Sequence, residues 1–270
     1  PPLFVNALVP RWAGIQTILT SMPRTSLSRL RALLLVLPVF LLTSCSSTTD
    51  WGFPEGVSSV NDASLSLWQG AWIAAGVVGV FTLILILWPA VFHRGKKDGP
   101  EFPKQTQYNV PVEIAYTIIP FIIVAVLFFF TIERQNIITE KTDTYAHEIT
   151  VTGFQWSWQF GYPEAGPKAL VTGTPTQPPT LVVPLGERVR YTIDSNDVVH
   201  GFWIPAFMIQ MQNLPGVTNE LEFTAKKLGE FPGRCNILCG RNHSQMLFTV
   251  KVVTPEQYDA YLETIKGGQA

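Results

Sequence analysis

Two uncharged apolar stretches constrain the fold of this chain more than any other feature of its sequence. The first covers residues 71–92 and the second residues 114–132, so they contain 22 and 19 residues without a charged side chain. A helix needs about twenty apolar residues to cross the roughly 30 Å hydrocarbon core of a bilayer. The sequence therefore predicts a transmembrane hairpin, with one helix over 67–93, a polar connector over 94–110 and a second helix over 111–134.

Basic residues in the connector predict how this hairpin is oriented. Four side chains of lysine or arginine lie between the two apolar stretches: Arg94, Lys96, Lys97 and Lys104. Short loops that are rich in lysine and arginine stay on the cytoplasmic side of a membrane. We therefore expect the connector inside the cell, and both ends of the mature chain on the outer face of the cell membrane.

The segment before the hairpin has the composition of an export signal. Residues 1–21 show no sustained pattern and are set aside as an uncertain leader extension, whereas three arginines precede the apolar run 32–42, which ends shortly before Cys45. A basic region, a short apolar run and small residues before a cleavage point are typical of a secretory signal. We interpret 22–44 as a signal peptide of the bacterial lipoprotein type, with Cys45 as the lipidated first residue of an exported segment 45–66. An ordinary signal peptide with an incidental cysteine is the alternative.

After about residue 135 the pattern changes from long apolar stretches to short alternating ones. Apolar side chains recur at every second position in four segments, at 149–153, 189–193, 221–223 and 248–252. This period is typical of half-buried strands, and the turn-rich segments between them favour a small sandwich or barrel. We expect an all-β exported domain over 135–255, followed by a C-terminal helix and tail over 256–270.

The balance of charge argues against a nucleic-acid partner. Nineteen basic and twenty acidic side chains leave a net charge of −1, so the chain has no basic field that would attract a phosphate backbone. Residues 133–270 carry eleven basic and fourteen acidic side chains. Such a mildly acidic domain would steer a basic soluble protein only weakly.

Soft metal ligands are concentrated in one short segment of the β domain. Cys235, Cys239, His243 and Met246 fall within twelve residues, and His200 lies upstream of them. Thiolate, imidazole and thioether sulfur together select copper, whereas magnesium and calcium prefer oxygen. A single blue-copper site uses only one cysteine, so the second thiolate favours two copper ions bridged by both sulfurs. A disulfide between the two cysteines, which an exported domain permits, is the alternative.

This segment and three others carry a resemblance to a known family. The run 235–246 is similar to the dicopper loop of cytochrome c oxidase subunit II, and residues 113–120, 154–158 and 205–216 are similar to other segments of that family. The likeness covers roughly residues 65–255. The resemblance implies a cupredoxin-like domain of the Greek-key sandwich or barrel type, attached to a two-helix transmembrane hairpin.

The same resemblance assigns roles to particular residues. The ligands of a two-copper centre would be His200, Cys235, Cys239, His243, Met246 and the backbone carbonyl of Ile237. Trp156 would be the residue through which electrons arrive, and Glu113 would lie at the mouth of a proton path in the catalytic subunit. The chain would thus accept electrons from a cytochrome c and pass them to a haem-copper catalytic subunit, which assembles with other oxidase subunits, reduces oxygen to water and translocates protons.

The sequence departs from the family pattern near these residues. Ile237 stands where the family usually has a glutamate between its cysteines, which leaves no carboxylate for a neighbouring magnesium site. Gln210 and Gln212 stand where lysine and aspartate are common, and Gly161 stands where an acidic residue is common. Together with the mild charge of the domain, these differences predict a donor cytochrome that is tethered or permanently associated.

Some of these assignments also have simpler interpretations. Glu113 lies at the start of the second helix, where the helix dipole favours a carboxylate. Trp156 and Trp158 are two residues apart, so they are expected on one face of a strand, where large aromatic side chains usually belong to the core. For the whole chain, a stand-alone copper-binding lipoprotein is the alternative to an oxidase subunit. Two membrane helices favour the oxidase subunit, because a lipid anchor alone would hold a carrier.

Overall fold

The computed structural model describes residues 52–93 and 105–268 of the chain. In this part of the chain, two long helices are followed by two five-stranded sheets and a short C-terminal helix. The predicted export signal, including Cys45, lies outside the described residues. The predicted fold class, an apolar helical hairpin followed by an all-β domain, is confirmed.

The two long helices are α1, Asn61–Phe92, and α2, Val110–Ile138. Both are long and apolar enough to cross a membrane. No residue of α2 is buried, and in α1 only residues of the first turns are buried. A helix on the surface of a soluble protein would instead bury one apolar face. The exposed apolar surface along both helices is therefore what a hairpin in lipid requires, since its backbone groups are already paired within each helix.

Both helices extend beyond the predicted boundaries at the end that faces the β domain. Helix α1 begins at Asn61 rather than at residue 67, because its first turns are buried there, as the low exposure of Ala63 and Leu65 shows. Helix α2 continues past residue 134 to Ile138, whose side chain packs against the core of the β domain. The apolar stretches alone did not predict these extensions, because the extra turns are stabilised by contacts with the β domain.

Ten strands form the β domain. They are β1 His147–Phe154, β2 Ser157–Gly161, β3 Leu170–Thr172, β4 Thr180–Pro184, β5 Arg188–Ser195, β6 His200–Ile204, β7 Ile209–Asn213, β8 Asn219–Thr224, β9 Gly229–Cys235 and β10 Leu247–Val253. The first sheet has the order β3-β2-β1-β5-β8, and the second has the order β4-β10-β9-β6-β7. The chain passes repeatedly between the two sheets, as in a Greek-key sandwich.

Aromatic side chains fill the space between the two sheets. Burial alternates residue by residue along β5, as a strand with one core-facing side requires. The ring of Phe202 stacks on that of Phe248 with centroids 5.0 Å apart, and Tyr191 stacks on Phe223 at 4.4 Å. Trp158 is fully buried beside them. Truncation of one such ring to alanine would cost about 3–5 kcal/mol of stability.

A short C-terminal helix, α3, Pro255–Ile265, packs against the sandwich. Its start is a reciprocal cap, in which the Thr254 hydroxyl accepts from the Gln257 amide and the Gln257 side chain accepts from the Thr254 amide. Such a capping box satisfies two backbone donors that have no partner within the helix. Tyr258, Leu262 and Ile265 recur on one face and are buried, so the helix covers part of the core.

Candidate metal centre

One end of the second sheet collects the predicted ligands. Strand β6 pairs antiparallel with β9, and β9 pairs antiparallel with β10. The start of β6, the end of β9 and the start of β10 therefore lie at the same end of the sheet. His200 is the first residue of β6, Cys235 is the last residue of β9, and Met246 immediately precedes β10. The loop between β9 and β10 adds Cys239 and, in a 3-10 turn, His243.

Two thiols form the centre of this group. The first thiol, Cys235, and the second thiol, Cys239, are free, and their Sγ atoms lie 3.8 Å apart. A disulfide requires an S–S distance of about 2.05 Å. Both side chains are buried, with exposed fractions of 3% and 4%. The structure therefore contains two separate thiols at this point, available as ligands.

Four further ligand atoms surround the two sulfurs. Near the first thiol, Nδ1 of His200 lies 4.0 Å and the carbonyl oxygen of Ile237 lies 3.2 Å from Sγ. Near the second thiol, Nδ1 of His243 lies 3.5 Å and Sδ of Met246 lies 3.8 Å from Sγ. Each sulfur thus has one imidazole and one weaker donor beside it.

The chemistry and spacing of these donors fit copper. Thiolate, imidazole and thioether are soft or borderline ligands, which copper prefers. His200 and the two thiols place their ligand atoms within 4.8 Å of one another, and all three residues are buried. Two ligands that each lie about 2.2 Å from one metal at a tetrahedral angle are about 3.6 Å apart. The separations in this group, from 3.2 to 4.0 Å, are therefore compatible with ligands that share metal ions.

A carboxylate orients the first imidazole. Oδ1 of Asp197 accepts a hydrogen bond from Nε2 of His200 at 2.8 Å, so that Nδ1 faces the first thiol. The same carboxylate accepts from the backbone amides of Gln155 and Val198, each at 2.6 Å. A carboxylate on the far nitrogen fixes the tautomer of a metal-binding histidine. Sequence reasoning missed this role, although an aspartate three positions before a candidate ligand was a visible signal.

These contacts also shift the pKa values of the buried groups. Burial lowers the pKa of His200, but hydrogen bonds with Cys235 and Asp197 raise it by more. Burial raises the pKa of the Cys235 thiol, but hydrogen bonds with His200 and with nearby backbone groups leave that pKa lowered. Burial and the charge of Cys235 both raise the pKa of Cys239. The Cys235 thiol is therefore the more acidic of the two, and a metal that binds both sulfurs would displace the proton of Cys239.

Trp156 lies beside the second thiol, but it does not lie in a strand. It occupies the turn between β1 and β2, whereas Trp158 lies within β2 and is fully buried. The expectation that both share one strand face was wrong, because Gln155 and Trp156 form the hairpin turn. The indole N–H of Trp156 donates to the carbonyl of Cys239 at 3.2 Å, and the Gln155 side chain donates to the same oxygen at 2.8 Å. This turn therefore contacts the loop 236–246 between β9 and β10, called the ligand loop below.

Gly240 permits this close approach. Its φ angle is +126°, a value that residues with a side chain rarely adopt. A Cβ at this position would lie 3.0 Å from Nε1 of Trp156 and 3.1 Å from Nε2 of Gln155. A glycine after the second thiol is thus required both by the backbone conformation and by the indole that lies against it.

The outer surface of the ligand loop carries apolar and amide side chains. Leu238 is 81% exposed, and Ile237 beside it is half-buried. Asn236 donates to the side-chain oxygen of Gln210 at 2.6 Å, which links the loop to strand β7. The side chain of Ile237 has no donor atom that could bind a second metal, and the loss of the magnesium site stays a prediction.

Glu113 lies in the first turn of α2, where it caps the helix. Its Oε1 accepts from the backbone amide of Asn109 at 2.9 Å, while the Asn109 side chain accepts from the Val112 amide at 3.4 Å. This reciprocal arrangement resembles a capping box. It accounts for a carboxylate at this position, and a role in proton uptake stays a prediction.

Comparisons with known proteins find similar proteins of one family. The family model described as cytochrome c oxidase subunit II, periplasmic domain, matches residues 176–253. The chain is 38% identical over 255 residues to a probable cytochrome c oxidase subunit 2 of Streptomyces avermitilis, a match that covers 81% of this chain and 80% of the relative. It is 35% identical over 278 residues to cytochrome c oxidase subunit 2 of Mycobacterium bovis, with 82% of this chain and 76% of the relative covered. Among solved structures, the periplasmic domain of subunit II of cytochrome oxidase of Bradyrhizobium japonicum is 31% identical, with a TM-score of 0.41 and coverage of 47% of this chain and 98% of that chain.

Proposed function

The chain belongs to the cytochrome c oxidase subunit II family and is a membrane-bound subunit of an oxidoreductase. On this premise we propose that it accepts electrons from a cytochrome c at a two-copper centre. It would pass them to a haem-copper catalytic subunit that reduces oxygen. One observation carries the proposal. Two buried free thiols lie 3.8 Å apart, and an imidazole nitrogen lies within 4.0 Å of each. This pair of thiols exceeds what a single blue-copper site uses.

Each ligand in this group would have a distinct part. The thiolates of Cys235 and Cys239 and the imidazoles of His200 and His243 would hold the copper ions. The thioether of Met246 and the carbonyl of Ile237 would be the weaker ligands. A bound copper pair supplies one-electron chemistry in which the electron is shared over two ions. No carboxylate stands between the cysteines, so the proposal includes no magnesium ion bound through this loop.

The surrounding residues hold these ligands in place and exclude water. His200 and Met246 are fully buried, and the indole of Trp158 donates to the Met246 carbonyl at 3.4 Å. Asp197 fixes the ring of His200 from the far side. Ligands that are already in position need little rearrangement when an electron arrives or leaves. The chain itself therefore supplies the rigidity on which fast electron transfer depends.

Electrons would arrive through Trp156. Its ring is partly buried against the domain core, and its N–H donates to the carbonyl of Cys239, a proposed ligand. The ring is therefore one hydrogen bond away from the backbone of the metal centre. The apolar side chain of Leu238, 81% exposed, lies on the same ligand loop. An electron donor that docks on this end of the sandwich would meet an apolar surface beside an aromatic ring.

The donor would be a cytochrome that is tethered to the complex or permanently associated with it. Residues 133–270 carry fourteen acidic and eleven basic side chains, so long-range steering of a basic soluble protein is weak. The amide pair of Gln210 and Asn236 lies beside the ligand loop. A second-order rate with soluble cytochrome c that fell steeply with added salt would contradict this part of the proposal.

The β domain would lie outside the cytoplasm. The basic connector 94–110 predicts that this end of the hairpin faces the cytoplasm. The start of α1 and the end of α2 lie at the opposite end, next to the β domain. A lipid on Cys45 would add an anchor on the same outer face.

The test compares electron transfer in the assembled oxidase with full-length wild-type chain, Cys239→Ser and Gln245→Ala. Gln245 is exposed in the same loop as the ligands, so its variant is a matched control. Reduced cytochrome c is mixed rapidly with the oxidase, and the reduction of the haems is recorded. We expect the control to match the wild type and Cys239→Ser to lose transfer from cytochrome c while it keeps its haem content. Transfer at the wild-type rate in Cys239→Ser would overturn the proposal.

A further inference from the structure

Strand β8 contacts both chain segments that lead to the membrane helices. It is an edge strand of the first sheet and pairs with β5. The segment 139–146, which follows α2, contacts side chains of β8 and β5. The segment 57–60, which precedes α1, pairs with the C-terminal end of β8. The β domain is therefore attached to the hairpin at two separate points.

A buried carboxylate holds the segment after α2. The side chain of Glu222 in β8 is 0% exposed. Its Oε2 accepts from the backbone amide of Thr142 at 3.0 Å, from the Thr142 hydroxyl at 3.2 Å and from Nε of Arg188 at 2.8 Å. Its Oε1 accepts from Nε of Arg190 at 2.8 Å. One carboxylate thus joins the segment 139–146, called the linker below, to two strands of the sheet.

The two arginines of β5 complete this attachment. Arg188 donates to the carbonyl of Glu140 at 2.9 Å, and Arg190 donates to the carbonyl of Thr142 at 2.7 Å. The guanidinium carbon of Arg190 also lies 4.0 Å from the ring centroid of Tyr145. Hydrogen bonds that involve charged groups are shorter and stronger than neutral ones. Consecutive parts of the linker are therefore bound to charged groups that belong to the sheet.

Backbone pairing holds the segment before α1. The amide of Ser59 donates to the carbonyl of Thr224 at 2.9 Å, and the Thr224 amide donates to the Ser59 hydroxyl at 3.0 Å. The amide of Lys226 donates to the carbonyl of Val57 at 2.9 Å. Val57 and Val60 are buried in the domain core, with exposed fractions of 0% and 4%. This segment is therefore an integral part of the β domain.

The start of α1 and the residues just before it are attached to a second place, the loop between β6 and β7. Ser58, Asn61 and Ser64 donate side-chain hydrogen bonds to the main-chain carbonyls of residues 206–208, at distances of 3.2 to 3.3 Å. Strand β6 begins at the proposed ligand His200 and leads directly to this loop. Helix α1 is thus connected to the metal centre through a single strand.

We propose that β8 and the loop 206–208 form a mount that fixes the copper domain in one position over the membrane hairpin, and that Glu222 is its positioning residue. The inference rests on the proposed function, because electron transfer to a haem in a neighbouring subunit depends on a fixed distance from the coppers. A domain on one flexible linker would sample many positions. Two attachments at separate points remove most of that freedom.

Glu222 acts on position and not on the ligands. Its hydrogen-bond partners are Thr142, Arg188 and Arg190, none of which is a proposed metal ligand. Loss of its charge should therefore leave the copper site unchanged and alter only the transfer of electrons out of it. This separation distinguishes a positioning residue from one that merely supports the fold.

The test uses the assembled oxidase with the full-length chain carrying Glu222→Gln. Glu220→Gln is a matched control, because Glu220 lies in the same strand and pairs with Lys141 of the same linker at 2.8 Å, but its side chain is 37% exposed, whereas that of Glu222 is 0% exposed. Four quantities are measured: the copper content, the electron paramagnetic resonance spectrum, the rate at which one electron leaves the reduced copper site for the haem, and the hydrogen exchange of residues 139–146. Asn61→Ala tests the second attachment by the same measurements, and remains informative if Glu222→Gln does not assemble.

In Glu222→Gln we expect unchanged copper content and spectrum, faster exchange in the linker, and a rate per copper-loaded molecule that is about tenfold lower, since small displacements remote from the chemistry have effects of this size. The control should stay within about twofold of the wild type. Wild-type rates and wild-type exchange in both Glu222→Gln and Asn61→Ala would overturn the mount. Copper loss in Glu222→Gln with wild-type exchange would also overturn it, because Glu222 would then support the site itself. A wild-type oxidase that moves no electron from copper to haem, while exchange still responds to Glu222→Gln, would refute the proposed function and leave the mount standing.

Discussion

The metal centre and the mount both bury polar groups, but they satisfy those groups in different ways. At the mount, the carboxylate of Glu222 accepts hydrogen bonds from Thr142, Arg188 and Arg190, so its charge is balanced within the protein. At the metal centre, the two thiol sulfurs lie 3.8 Å apart, and the Met246 sulfur lies 3.8 Å from the second of them. Hydrogen bonds between sulfur atoms are weak, because a thiol is a weak donor and sulfur is a weak acceptor.

This difference predicts which region would gain stability from a metal. A buried polar group without a strong partner costs about 1–3 kcal/mol, and an ion bound at the metal centre would offset that cost. The mount is complete without any ion. Substitutions in the two regions should therefore have opposite signatures: one should change copper binding with little effect on the copper-free fold, and the other should do the reverse.

The largest effect is expected from loss of a bridging thiol. Cys235→Ser or Cys239→Ser removes a ligand that both coppers would share, so the copper content should fall from two to one or none per chain. The free energy of unfolding of the copper-free protein should fall by about 1 kcal/mol, the lower end of the cost of a weakly paired buried hydroxyl. Metal analysis and urea unfolding of the same samples check both parts. Two coppers in either variant would contradict the bridged site.

Glu222→Ala should show the opposite signature. It leaves two arginines without their carboxylate, and breaking a buried ion pair in this way costs about 3 kcal/mol. The copper content of the folded protein should stay at two per chain. Glu220→Ala is the control, and loss of its solvent-screened pair with Lys141 should leave the stability close to that of the wild type. Equal losses of stability in the two variants would remove the distinction between the buried and the exposed pair.

Acid should destabilise the wild-type protein more than a variant that lacks the charge of Glu222. Burial raises the pKa of Glu222, but hydrogen bonds with Arg190, Thr142 and Arg188 leave that pKa lowered. A carboxylate with a lowered pKa contributes stability that is present above its unfolded pKa, about 4.5, and is lost as the pH falls through the folded value. The copper-free wild type should therefore lose stability below this pH more steeply than Glu222→Gln. Parallel pH profiles in urea unfolding would contradict the assignment.

A moderate effect on electron arrival is expected from Trp156→Phe. The variant keeps an aromatic ring but loses the N–H that donates to the Cys239 carbonyl, and we expect about tenfold slower reduction by cytochrome c with two coppers retained. Gln155→Ala is the matched control, because it removes the other hydrogen bond to the same carbonyl and leaves the indole in place. Stopped-flow reduction measures both. Equal slowing in the two variants would assign the effect to the hydrogen bonds and remove the indole from the path.

The smallest effect is expected from Met246→Leu. The side chain is buried beside the second thiol, and leucine has a similar volume. A weak axial ligand tunes the potential of a copper site without holding the ion. We expect two coppers per chain and a shift in reduction potential of up to about 60 mV, a tenfold change in a one-electron equilibrium. Complete loss of copper would show that the thioether is essential for binding.

The sequence predicted the elements whose signals are local. The apolar stretches 71–92 and 114–132 predicted the hairpin, and alternation in 149–153 and 189–193 marked strands that the structure places in the core as β1 and β5. That Cys235, Cys239, His243 and Met246 lie close together could also be predicted, because they fall within twelve residues. These features follow from residue type and spacing alone.

The remaining features depend on contacts between distant segments. Trp156 was expected in a strand, since spacing along the chain does not reveal that Gln155 and Trp156 form a turn over the ligand loop. Arg188 and Glu222 are 34 residues apart and resemble ordinary surface charges in the sequence. Only the pairing of β5 with β8 brings them together and buries the carboxylate. The early start of α1 has the same origin, because Asn61 is held by a loop 145 residues away.

The most direct test of the account is a measurement of copper stoichiometry together with the electron paramagnetic resonance spectrum of the copper-loaded full-length chain in detergent. We predict two coppers per chain and a spectrum in which one unpaired electron is shared by both copper nuclei. One copper per chain with the electron on a single nucleus, or no copper with Cys235 and Cys239 joined in a disulfide, would contradict the two-copper centre.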